Sequence, residues 1–188
     1  MLCVGIDPGI TGAVAAVSDT EVIAFIRDTP VIEVKVGKSR KLQYLPSEMA
    51  KIFWDRNPAD LHVYIEKVSA MPGQGVTSMF GFGKGYGIWI GVLAALKIPY
   101  TEVAPQTWKK VLMNGMREKD DGRIRAMQLF PSHSGDLARK KDIGRADALL
   151  IAEYGRRQGV QYLYEYPKEG HKPQTVLTGL IPSVRRGR

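Results

Sequence analysis

The sequence predicts an α/β fold, a sheet whose strands end on acids with helices packed beside it. Three observations predict this. Two apolar runs finish abruptly on a carboxylate, Val4-Gly5-Ile6-Asp7 and Val63-Tyr64-Ile65-Glu66. Strand-length segments fill residues 1–28, whereas helix-length segments fill most of 78–157. A third acid, Asp147, sits in the first turn expected for the helix that follows a basic loop. Strand ends and helix starts converge at the carboxyl edge of such a sheet, where open sheets place their sites.

In chain order, Leu2–Asp7 reads as a buried strand, Pro8-Gly9-Ile10-Thr11-Gly12 as a turn, and Ala13–Ser18 and Val22–Arg27 as two further strands of a meander. Residues 29–46 carry Pro30, Gly37 and a basic cluster of Lys35, Lys38, Arg40 and Lys41, and read as an excursion or loop. Ser47 is the expected N-cap of a helix reaching Arg56. His62–Glu66 is the next strand, and Met71-Pro72-Gly73-Gln74-Gly75 a loop. The helix expected over 78–97 holds Gly81, Gly83, Gly85, Gly87 and Gly91. Each glycine costs a helix up to about 1 kcal/mol relative to alanine. So many of them point to close approach of another backbone, from a neighbouring element or from a partner subunit. A short strand at Ile98–Val103 precedes helices at Pro105–Met113 and Glu118–Phe130, a loop at Lys140–Gly144 and a last helix at Arg145–Arg157. The domain is therefore expected over 1–157. Residues 158–188, with Pro167, Pro173, Pro182 and the ending Arg185-Arg186-Gly187-Arg188, read as a basic tail.

The 188 residues suit one domain with a core, at 44% apolar composition. No apolar stretch nears the roughly 20 residues needed to span a bilayer. The N-terminus lacks the features of a secretory signal. Cys3 is the sole cysteine, which excludes an intrachain disulfide and a cysteine-bound zinc cluster and fits a cytoplasmic setting. A net charge of +8 favours a polyanionic partner, although a merely soluble basic protein has the same balance.

Carboxylates gathered at one sheet edge repel each other unless a hard divalent cation joins them. Two such ions, about 4 Å apart, can activate a water and stabilise the leaving oxygen of a phosphodiester. Each acid alone also has a structural explanation. Asp7 or Glu66 can cap a turn, and Asp147 can favour a helix N-terminus. The segment Asp7-Pro8-Gly9-Ile10-Thr11-Gly12 can admit a phosphate to its backbone N–H groups, or form an ordinary Pro-Gly turn.

Four segments resemble the RuvC family of Holliday-junction resolvases, most like its bacteriophage or bacterial branch. They are Gly5-Ile6-Asp7-Pro8-Gly9-Ile10-Thr11-Gly12, Val63-Tyr64-Ile65-Glu66-Lys67-Val68, Val103-Ala104-Pro105-Gln106-Thr107-Trp108-Lys109-Lys110 and the stretch from Lys141 to Ala152 around Asp147. They fall in the family's order within residues 1–157. The resemblance implies an RNase H-like fold, a five-stranded mixed sheet flanked by helices. It implies a homodimer that binds a four-way DNA junction and nicks it symmetrically, a crossover junction endodeoxyribonuclease of recombination and repair. The implied cofactor is Mg²⁺, with Mn²⁺ able to substitute, two ions to each site, and the products are a 5′-phosphate and a 3′-hydroxyl. Asp7, Glu66 and Asp147 occupy the family's catalytic acid positions. The family's fourth acid would fall at Ile143 or Gly144, so Asp142 is assigned as the fourth ligand. Lys119 is assigned to the charge on the non-bridging oxygens, and Lys109 and Lys110 to DNA contact. Some family members wedge the junction centre open with an aromatic residue just after the second acid. Here that region holds Ser69 and Met71, with Phe80 and Phe82 further on, so Met71 or Phe80 is the substitute for the wedge, and Phe80 equally suits a helix core. A broader flap or fork nuclease, or a catalytically idle module that binds branched DNA, would share these features. The Asp-Pro-Gly turn also looks like the first phosphate loop of actin-like kinases, but the chain is too short for their two domains and lacks the second loop.

Overall fold

In the computed structural model, the described residues are 1–20, 22–69, 73, 75–113, 115 and 120–159. Five strands form one sheet: β1 (Leu2–Asp7), β2 (Ala13–Ser18), β3 (Ile23–Asp28), β6 (Leu61–Glu66) and β7 (Tyr100–Val103), in the order β3-β2-β1-β6-β7. The first three pair antiparallel through short turns. β6 and β7 add in parallel, because helical crossovers precede them. The sheet is therefore mixed, as expected.

Period-two alternation divides its side chains between two cores. Val4, Ile6, Val14, Ala16, Leu61, Val63 and Ile65 face one side, where α1 (Pro46–Lys51) and α2 (Val76–Ala95) supply Met49, Trp89 and Leu93. Ala13, Ala15, Val17 and Tyr64 face the other. That side is covered by α3 (Pro105–Leu112), α4 (Asp121–Leu129) and α5 (Ile143–Gly159). α5 lies directly on β1 and β2. A Cβ on Gly5 would come within 2.0 Å of the Ala148 carbonyl oxygen, so only a glycine there lets helix and strand approach so closely. At its start Gly144 does the same against the Thr11 carbonyl, where a Cβ would come within 2.4 Å. No helix among the described residues is long and apolar enough to cross a membrane.

Several expectations change. The basic stretch read as a loop is a hairpin, β4 (Val31–Val36) and β5 (Ser39–Tyr44), forming its own two-stranded sheet. Its turn is made by Gly37 at φ +62° and Lys38, a geometry that suits a tight hairpin. α1 starts at Pro46 behind Leu45 rather than at an Ser47 cap, since proline with its fixed φ favours the first helical position, and residues 52–56 form turns. α5 begins at Ile143, two residues earlier than expected. Of the five helix glycines, Gly85 meets a neighbour, the Tyr44 hydroxyl and the Pro8 carbonyl, whereas among the described residues nothing lies within 4 Å of a Cβ built on Gly81, Gly83, Gly87 or Gly91. Met71, Lys119 and the tail from residue 160 lie outside the described residues, as does part of the helix expected from Glu118.

Candidate active site

β1 and β6 run side by side, with Ile6 beside Ile65. The next residue of each strand is an acid, and alternation turns both Asp7 and Glu66 toward the α5 side, the side that Gly5 and Tyr64 face. Asp147 lies on the α5 face that meets the sheet, between Gly144 and Ala148. Because α5 starts at Ile143, Asp147 is past the first turn. The helix dipole falls off within that turn and no longer accounts for an acid there.

The three acids share one electrostatic field. Burial pushes the Asp7 carboxyl up to about 6, and the neighbouring Glu66 charge adds to the shift, while a hydrogen bond from the Gly9 amide (3.0 Å) and the Lys109 charge oppose it. Burial likewise raises Asp147 to about 7, reinforced first by Asp7 and then by Glu66, and again opposed by Lys109. Burial and neighbouring negative charge thus penalise the ionised forms of both carboxyls, a penalty that a cation relieves. The donors are all carboxylate oxygens, which suit a hard divalent ion. Among the described residues, no three Asp, Glu, His or Cys side chains are gathered tightly enough to enclose an ion. The acids share a field rather than a closed cage.

Each acid is positioned by a neighbour. Gly9 donates to Asp7 Oδ1. Trp108, fully buried in α3, donates its indole N–H to Glu66 Oε1 at 2.9 Å. Gly122 in α4 leaves room for Asp147, since a Cβ there would lie 3.0 Å from its Oδ1. The sequence reading missed Trp108 and Gly122. Trp108 sits inside a matched segment, directly before Lys109, and only the fold reveals that its indole reaches an acid 42 residues away.

Lys109 is exposed beside the acids and lies over the Trp108 ring, 5.1 Å from its centroid. With Glu66, Lys67, Ser69, Phe82 and Gln106 it lines a groove of about 250 Å³ that opens next to Glu66. Lys110 is exposed on the same helix. Phe80 is 75% exposed on the first turns of α2, which excludes the core role. Asp142 is a correction. Its carboxylate accepts from the Arg139 backbone N–H (2.8 Å) and from the Arg139 guanidinium (2.7 Å), and is 3% exposed. That guanidinium holds its carboxyl below the usual range. A partner three residues back captures it, and it does not join the three acids.

No protein-family model matches the chain. The chain is similar to the chloroplastic Holliday junction resolvase MOC1 of Chlamydomonas reinhardtii, at 33% identity over 101 residues. That stretch is 53% of this chain and 12% of the relative, so the chain spans a small part of that protein's length. Among solved structures it is similar to Thermus thermophilus RuvC, with a TM-score of 0.50 and 13% identity over 85% of this chain and 97% of that one. It is also similar to Thermus thermophilus RuvC in complex with a Holliday junction substrate, with a TM-score of 0.53 and 16% identity over 85% and 96% of the two chains. The fold is thus that of RuvC, an RNase H-like α/β fold.

Proposed function

We propose that the chain is a RuvC-like Holliday junction resolvase, an endonuclease that nicks two strands of a four-way DNA junction. The observation that carries this is the single field shared by Asp7, Glu66 and Asp147 at the carboxyl edge of the sheet. The MOC1 likeness and the RuvC fold supply the junction as substrate.

Asp7, Glu66 and Asp147 would hold Mg²⁺ or Mn²⁺, in the finer reading a pair of ions. Bound there, they would supply an activated water and neutralise the leaving 3′-oxygen, giving a 5′-phosphate and a 3′-hydroxyl. The chain's own residues set the stage. The Gly9 amide fixes one oxygen of Asp7 and leaves the other for a cation. Trp108 orients Glu66. Lys109 offers its charge to the phosphate at the mouth of the groove. The open glycines Gly83, Gly87 and Gly91 on α2 provide a flat face for a second copy, which would bring two sites to one junction. Incubating the purified chain with a synthetic four-way junction and Mg²⁺ should give paired nicks in strands of like polarity. Binding without nicks would favour the idle module, and nicks confined to flaps the broader nuclease.

A pH dependence follows. Both Asp7 and Asp147 have carboxyls raised above the ordinary 3.8. The folded chain therefore binds protons more tightly than the unfolded one, and loses stability as pH rises from about 4 through 7. A divalent cation removes that penalty. At pH 8, Mn²⁺ at ten times its Kd should raise Tm by about 4 °C. At pH 5, with both carboxyls largely protonated, the same concentration should do much less. Equal shifts at both pH values would show that the cation binds elsewhere.

Trp108→Phe keeps an aromatic ring, smaller than the indole, and removes the donor to Glu66. Loss of such an outer partner typically costs about tenfold in metal affinity or rate. The expected signature is a higher Mn²⁺ concentration for half-maximal cleavage. A variant with an unaltered metal requirement would make the bond to Glu66 incidental.

A further inference from the structure

The β4–β5 hairpin serves no part of the site described so far. Val31 and Tyr44 at its base join the core on the α1–α2 side, and the Leu45 amide closes the base on the Pro30 carbonyl at 3.0 Å. Beyond the base, Ile32 is 48%, Val36 48% and Leu42 41% exposed, so no layer covers the arm. A two-stranded hairpin without a covering layer is marginal in water.

Two further observations say what it meets. The base is anchored at the catalytic edge, because the Tyr44 hydroxyl donates to the Pro8 carbonyl, at 3.4 Å, on the residue that follows Asp7. The outer half carries Lys35, Lys38, Arg40 and Lys41 against the single acid Glu33. The register sets Lys35 directly opposite Arg40, a like-charge pair that destabilises a free hairpin. Glu33 reaches Arg40 at 3.0 Å, but among the described residues Lys35, Lys38 and Lys41 have no ion-pair partner. Six residues per strand give the arm a length of about 20 Å.

We propose that the β4–β5 hairpin is an arm that grips the phosphate backbone of a DNA duplex flanking the cleavage site, with Lys35, Lys38, Arg40 and Lys41 as its contacts. Phosphates would relieve the Lys35–Arg40 repulsion, and the Tyr44 anchor sets the arm's distance from the scissile bond. The proposal rests on the nuclease reading above.

The test compares the wild type with a variant in which these four residues are replaced by glutamine, using a four-way junction without divalent metal. The slope of log Kobs against log salt should fall in magnitude by about 2–4, and binding near 0.1 M salt should weaken roughly 10–100-fold. An iron–EDTA probe on Lys38→Cys, where buried Cys3 does not compete for the label, should cut one duplex arm within about 6–8 base pairs of the nick, at 3.4 Å per base pair. If the wild type binds the junction and the variant matches its affinity and slope, the arm proposal is overturned while the resolvase reading stands. A probe that marks a second protein copy and leaves the DNA intact overturns it too. A wild type that binds no junction removes the reading beneath it.

Discussion

Asp7→Asn should reduce cleavage of a four-way junction by about 10³-fold or more, the loss of roughly 4 kcal/mol of transition-state stabilisation. Asp7 stands between the other two, since its charge raises the Asp147 carboxyl and its own carboxyl is raised by Glu66. The amide keeps the shape of the side chain and the contact with Gly9, but not the negative charge that holds a cation. Junction binding without divalent metal should stay within a few-fold, because removing one negative charge does not weaken attraction to a polyanion. Gel-shift and single-turnover cleavage on one preparation separate the two effects. Cleavage by Asp7→Asn at a wild-type rate would dismiss the acid cluster as the catalytic centre.

The second large effect is on stability. Gly5→Val should cost about 3–5 kcal/mol, above the usual overpacking range. At this chain length that is a fall in Tm of roughly 6–20 °C. A Cβ on Gly5 would lie 2.0 Å from the Ala148 carbonyl oxygen and 2.3 Å from the Ala152 nitrogen, and both are backbone atoms of α5 that no rotamer change can move. Either α5 lifts from β1, taking Asp147 away from Asp7, or the strand distorts next to Asp7. Gly135→Ala, with nothing within 4 Å of its added methyl, is the control and should stay within about 0.5 kcal/mol. Matching melts for the two variants would mean that the helix and strand do not pack this closely in solution.

The contrast between Asp7 and Asp142 shows which parts of the site are legible in a sequence. Asp7 and Glu66 each end an apolar run, and a run of that kind has one plausible place, a buried strand emerging at a sheet edge. Asp142 had only its position in a loop to recommend it, and a loop does not reveal that the half-exposed guanidinium of Arg139, three residues back, folds onto its carboxylate. Trp108 was invisible as a positioning residue for a related reason, since its bond to Glu66 spans two elements. The hairpin was misread because Ile32, Val36 and Leu42 face solvent on an arm crowded with cations. Without a buried face, the alternation that marks a strand has nothing to contrast with. The helix glycines promised a neighbour, and four of the five found none among the described residues.

The way α5 closes the fold has a consequence for how the protein is made. Asp147 meets Asp7 across 140 residues of chain, and the same helix is clipped to the far end of β3 by the Arg145 guanidinium on Asp28, at 2.6 and 2.7 Å. Long-range pairings of this kind form late, because the loop must close before any contact rewards it. On the ribosome, β1 waits with one face bare until residue 159 has emerged. A nascent chain therefore carries two of the three acids without the third until α5 has been made.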